Sequence, residues 1–70
     1  MLTNEDTMNR IESLQVAAQA DIEAANRYEY LEGGASGSQK REYRKRKDAS
    51  LQSAERNRMK AQDLIDSLKS

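Results

Sequence analysis

The stretch 33-GGASGS-38 decides how the chain is read. It holds every glycine of a chain that has no proline, so it is the one place where the backbone is free to reverse direction. On both sides the sequence is dominated by Ala, Glu, Lys, Arg, Gln and Leu, the residues that lose least on entering a helix. Two helical arms follow. The sequence predicts a single domain, residues 1–70, with helix 1 over about 4–32, a Gly/Ser loop at 33–38 and helix 2 over about 39–68. Each arm is then roughly 45 Å long at 1.5 Å per residue, and equal lengths suit an antiparallel hairpin.

The ends of the arms carry their own signals. The Thr3 hydroxyl can cap the first exposed amides, with Glu5 and Asp6 in the positive first turn. Gly33 or Gly34 can supply the left-handed residue that ends a helix. Ser38 can cap helix 2, or Ser36 can do so in a capping box with Gln39. The run also has the composition of a flexible linker between two segments.

Helical positions three and four apart share a face, and one apolar stripe emerges on each arm. In the first it is Met8, Ile11, Leu14, Ala18, Ile22, Ala25 and Tyr28; in the second, Tyr43, Leu51, Ala54, Ala61, Ile65 and Leu68, with Lys47 and Arg58 on the same track. Folding back near Ser36 sets opposite one another residues whose numbers sum to about 72. The expected rungs are Tyr28 with Tyr43 or Arg44, Ala25 with Lys47, Ile22 with Leu51, Ala18 with Ala54, Leu14 with Arg58, Ile11 with Ala61, and Met8 with Ile65. Charge agrees with this pairing. Residues 1–32 carry two basic and seven acidic side chains, net −5, whereas residues 33–70 carry ten basic and five acidic, net +5. Glu29 and Glu32 are expected near Lys40, Arg41 and Arg44.

Core material is scarce. The 70 residues include no Phe, no Trp and three Tyr, and the charged fraction of 34% nearly equals the hydrophobic fraction of 36%. A lone two-helix hairpin of this composition does not close a core. The expected architecture is therefore all-α, a coiled-coil hairpin that completes a bundle with a second copy, as a homodimer, or by docking on another protein. A weaker apolar line, Val16, Ala20, Ala24 and Leu31, lies nearly opposite the main stripe, and Met59 and Leu64 add apolar surface on the second arm. These six are the candidate protein interface; the plainer reading is scattered surface apolars.

Catalysis finds little to work with. With no His and no Cys, the usual general base, the commonest metal ligand and thiol chemistry are all missing. Asp63 and Asp66 share a helix face but lack further ligands, and GGASGS has no Walker lysine. The expectation is a non-enzymatic chain with no catalytic residue, cofactor, metal or small-molecule substrate. MLTNEDTMNR is no signal region, and the apolar run Val16-Ala17-Ala18 is too short to span a membrane, so a cytoplasmic location without membrane association is expected.

The run 40-KREYRKRK-47 packs six basic residues, Lys40, Arg41, Arg44, Lys45, Arg46 and Lys47, into eight positions. It reads first as a solvated helix start that complements the acidic arm, and alternatively as a patch for nucleic acid phosphates. Tyr43 can stack on a base but fits the seam beside Tyr28, and the seam is preferred. Together with 54-AERNRMKAQDLIDSLK-69, the run resembles the basic region and first helix of basic helix-loop-helix transcription factors. That resemblance implies DNA contacts from Glu55, Arg56 and Arg58. It covers under half of the chain, the family's histidine and fuller basic pattern are missing, and no second amphipathic helix follows, so convergence of charged helical sequence is the preferred account. A leucine zipper is interrupted by Lys47 and Arg58. The functional expectation is a helical protein–protein interaction or assembly module, by analogy of shape with small accessory proteins of phages and mobile elements. A small nucleic-acid-binding protein is the alternative.

Overall fold

A computed structural model describes residues 3–69 as two antiparallel helices, α1 (Asn4–Gly33) and α2 (Gly37–Lys69), in a rod of 50 × 16 × 14 Å. Helix α1 starts as its sequence directs. The Thr3 hydroxyl accepts from the Asp6 amide at 3.1 Å, and the Asp6 carboxylate accepts from the Thr3 amide at 3.4 Å, so a capping box satisfies two exposed donors. Thr7 closes the same turn by donating its hydroxyl to the Thr3 carbonyl.

The turn is tighter than the Gly/Ser run suggests and uses its glycines differently. Gly33 is still helical, and Gly34 has φ −99°, so neither is left-handed. The helix end closes instead by tight bonds from the Gly34 amide to the Leu31 carbonyl and from the Ala35 amide to the Glu32 carbonyl, each 3.2 Å. The left-handed residue is Gly37, φ +63°, which opens α2. The connection proper is only residues 34–36. The capping box expected between Ser36 and Gln39 does not form; the Gln39 amide donates to the Tyr43 hydroxyl at 3.3 Å, and Ser38 lies inside α2.

Burial shows which residues face the partner helix. On α1 they are Thr7, Ile11, Leu14, Ala18, Asp21, Ala25, Tyr28 and Glu32; on α2, Tyr43, Lys47, Ser50, Ala54, Asn57, Ala61 and Leu64, continuing to the more open Leu68, with Ile22, Ala24, Ser53 and Ile65 half-buried beside this track. Both tracks advance by alternating steps of four and three, the heptad rhythm of a coiled coil. Small residues recur along this seam and let the helices come close.

The expected stripes require correction at several places. Met8 is 61% exposed and Leu51 46%, and Arg58 points to solvent, while Thr7, Ser50 and Asn57 take the seam positions. Leu64, assigned to an outer face, lines the seam instead. The expected stripe followed hydrophobicity, but this seam accepts polar side chains wherever a partner satisfies them. Asn57 donates to Asp21 at 3.3 Å, and Glu32 accepts from Arg44 and Lys47. The register moves as well. Glu32 meets Arg44 and Lys47, and Asp21 meets Asn57, pairs whose numbers sum to 76, 79 and 78. Aligning the two tracks gives a sum of 75, with Leu14 opposite Ala61, three residues from the expected 72 and close to one helical turn. Tyr28 does meet Tyr43, with ring centroids 6.3 Å apart. Ile22 with Leu51 and Met8 with Ile65, expected as core rungs, lie along one flank of the seam.

Candidate interaction surface

Two surface regions bear on function, the basic start of α2 and the apolar side chains left outside the seam. In the first, Glu32 is the organising residue. It is 8% exposed, and its carboxylate accepts from Arg44 at 2.9 Å and from Lys47 at 3.1 Å, one cation on each oxygen. Hydrogen bonds from Lys47, and then from Arg44, hold the Glu32 carboxyl below the usual carboxylate range against the opposing effect of its burial. Lys47 is itself half-buried, its side chain 23% exposed, with its ammonium on Glu32.

The basic run is therefore divided by structure. Arg44 and Lys47 neutralise Glu32, and Arg46 pairs with Glu42 one turn away at 3.2 Å. That last pair is exposed and worth about 0–1 kcal/mol. Lys40, Arg41 and Lys45 are exposed and form no ion pair among the described residues. Of the pairings expected near the turn only Glu32 with Arg44 occurs; Glu29 makes no ion pair, and Lys47 takes the place expected of Lys40 and Arg41. Tyr43 is half-buried against Tyr28 and receives the Gln39 bond, so its ring belongs to the seam.

The six candidate interface residues do not form one surface. Val16 (63% exposed) and Met59 (61%) occupy the outermost position of their helices, and Ala20 is exposed beside Val16. Leu31 lies near the turn in a shallow apolar depression with Asn26, Arg27 and Tyr30. Ala24 is half-buried, and Leu64 packs at the groove lined by Leu14, Arg10 and Lys60. The stripe reading set Lys47 on the track but left out the other members of the seam's polar set, Asp21, Asn57 and Glu32. Following the seven-residue step from Ile11 through Ala18 and Ala25 arrives at Glu32, and from Leu68 through Ala61 and Ala54 at Lys47, so spacing alone finds them once polarity is disregarded.

Among the described residues no helix is long and apolar enough to cross a membrane, and no group of three or more metal-ligating side chains comes together. Comparison with protein-family models, with curated proteins and with solved structures finds no match to this chain.

Proposed function

We infer that the chain is a non-enzymatic helical module for protein–protein interaction or assembly. The observation that carries this reading is the imbalance between its core and its surface. The buried hydrophobic residues are Ile11 and four alanines, Ala18, Ala25, Ala54 and Ala61, and no described side chain is fully buried. Among the described residues seven large apolar side chains, Met8, Val16, Leu51 and Met59 among them, remain exposed. Burying an alanine contributes far less than burying a leucine or isoleucine, because the stabilisation scales with apolar area at about 25 cal/mol per Å². A hairpin so constructed gains most of its stability from whatever covers it. Helicity measured by circular dichroism is expected to rise with protein concentration or on adding the partner, and to fall in Ile22→Asp. A chain that stays fully helical on dilution and ignores every partner would overturn the reading.

A second reading, a small nucleic-acid-binding protein, is favoured by one observation: Lys40, Arg41 and Lys45 are exposed and unpaired on successive turns of α2. Three cations that neutralise phosphates release counterions, which makes affinity fall steeply with salt. Oligonucleotide binding that weakens between low and physiological salt, and disappears in the triple Lys40/Arg41/Lys45→Ala variant, would establish it. Salt-independent or absent binding would remove it.

A further inference from the structure

We propose that the covering partner is a second copy of this chain, docked on one particular flank so that α1 lies antiparallel to α2 of the partner copy and both turns sit at the same end of a four-helix bundle. This rests on the interaction-module reading and adds the partner, the face and the symmetry.

The face follows from the seam. In a helix of 3.6 residues per turn, positions four beyond Ile11, Ala18, Ala25, Ala54 and Ala61 fall together on one flank of the hairpin. With Met8, which is two turns earlier on the same line, that flank presents Met8 and Leu51 with the half-buried Ile22 and Ile65, interspersed with Gln15, Glu29, Arg44 and Arg58. The opposite flank presents Arg10, Arg46 and Lys60, with Leu31 as its large apolar residue. Two copies of the cationic flank would repel; two copies of the first can close a core. The hairpin is 50 Å long and 16 Å wide, so covering one side removes roughly 800 Å² from each copy, which is the size of an ordinary stable interface.

The symmetry follows from what meets what. A twofold axis parallel to the helices sets α1 against the partner's α2 at the same height, so the intramolecular level pairs recur between copies. Within about 3 Å of level, two residues' rise, Met8 then lies beside Ile65 of the partner copy, Ile22 beside Leu51, Gln15 beside Arg58, and Glu29 beside Arg44, while one position further round Glu5 comes beside Lys69. Apolar meets apolar, acid meets base, and no like charges face each other. A twofold axis perpendicular to the helices sets α1 against α1 and α2 against α2. Centred at mid-height it would place Met8 against Glu29, Ile22 against Gln15, Leu51 against Arg58 and Ile65 against Arg44; moved to the level of Gln15 it would pair Met8 with Ile22 and Leu51 with Ile65, but with Arg58 against Arg58 and about 10 Å of overlap lost. At either height each pair of identical helices brings like net charge together. The first arrangement is the complementary one.

The test uses the full chain, whose lack of cysteine allows one spin label through Ala35→Cys at the turn. The expected result is a dimer by light scattering and a label-to-label distance of roughly 20 Å, set by two adjacent helix pairs about 10 Å apart. A dimer with labels about 50 Å apart would place the turns at opposite ends and overturn the arrangement. Leu51→Glu is expected to raise the dimer dissociation constant about a hundredfold, since it buries an unpaired charge, whereas Val16→Asp, on the outermost position, leaves it unchanged. The reverse pattern of these two variants would overturn the choice of face. A monomer of low helicity overturns the second copy as partner while leaving the interaction-module reading in place; a fully helical monomer at high dilution overturns both.

Discussion

The two ends of the hairpin are held by different means. At the turn, Glu32 takes a cation on each carboxylate oxygen, Tyr28 packs on Tyr43, and a three-residue connection ties the helices together. At the far end the seam is Ile11, Leu14 and Ala18 against Ala61, Leu64 and a half-open Leu68, and what restrains the start of α1 is its own capping box. Directional contacts set register and tolerate water at their edges. Alanine packing gives closeness without direction and contributes only while water is kept out. The turn end therefore specifies the pairing, and the far end depends on being covered.

The same substitution placed at each end tests this difference most severely. Ala61→Asp buries a charge with no cation within the seam and is expected to cost about 3 kcal/mol or more, enough to abolish folding of a small helical unit. Ala25→Asp, about one turn from the level of Lys47, should be distinctly milder in the same thermal melt. Equal losses would mean that the cations near the turn do not govern what the seam tolerates there.

Next comes the turn itself. Gly37→Ala forces a side chain into a left-handed backbone and is expected to destabilise by about 1–2 kcal/mol. Gly33→Ala replaces a helical glycine that has open space around its Cβ position, and should stabilise by about 0.5–1 kcal/mol. Thr3→Ala, which removes the capping box, should cost about 1 kcal/mol and show first as faster amide exchange in the opening turn of α1.

The smallest effect is a pH response confined to the turn. Because the Glu32 carboxyl is held below its ordinary range in the folded chain, its contribution is fully present above the unfolded carboxylate range and is lost as pH falls through the lower folded value. Amide exchange around residues 28–47 is expected to accelerate as the solution is acidified through that window, with added salt acting in the same direction. Glu32→Gln should remove that acid-dependent step. Acceleration that begins at the far end instead would reverse the assignment of which end carries the charge-dependent stability.

Much of this fold was legible from residue types and spacing. The Gly/Ser break, the two long arms, the Thr3 cap and the seam residues Ile11, Leu14, Ala18, Ala25, Tyr28, Tyr43, Ala54 and Ala61 follow from propensity and period. The rest was hidden for a physical reason. Ile22 and Leu51 look like core and Asp21 and Asn57 look like surface, and in isolation each helix would present them so. The short connection and the Glu32 bonds select a register one turn away, in which Asp21 and Asn57 satisfy each other across the seam and the larger apolars are displaced to a flank. The basic run was similarly half legible: its composition marks a cationic stretch, and only the pairing shows that Lys40, Arg41 and Lys45 remain unpaired.

The connection at residues 34–36 holds the arms together through the backbone and contributes no side-chain bond of its own. Severed at Ser36, the molecule would become two peptides of opposite net charge whose reunion must be driven by the same seam without the tether. Such a split pair would read out seam strength directly as a bimolecular affinity, tunable by ionic strength, and would give each half a use as a tag that finds the other.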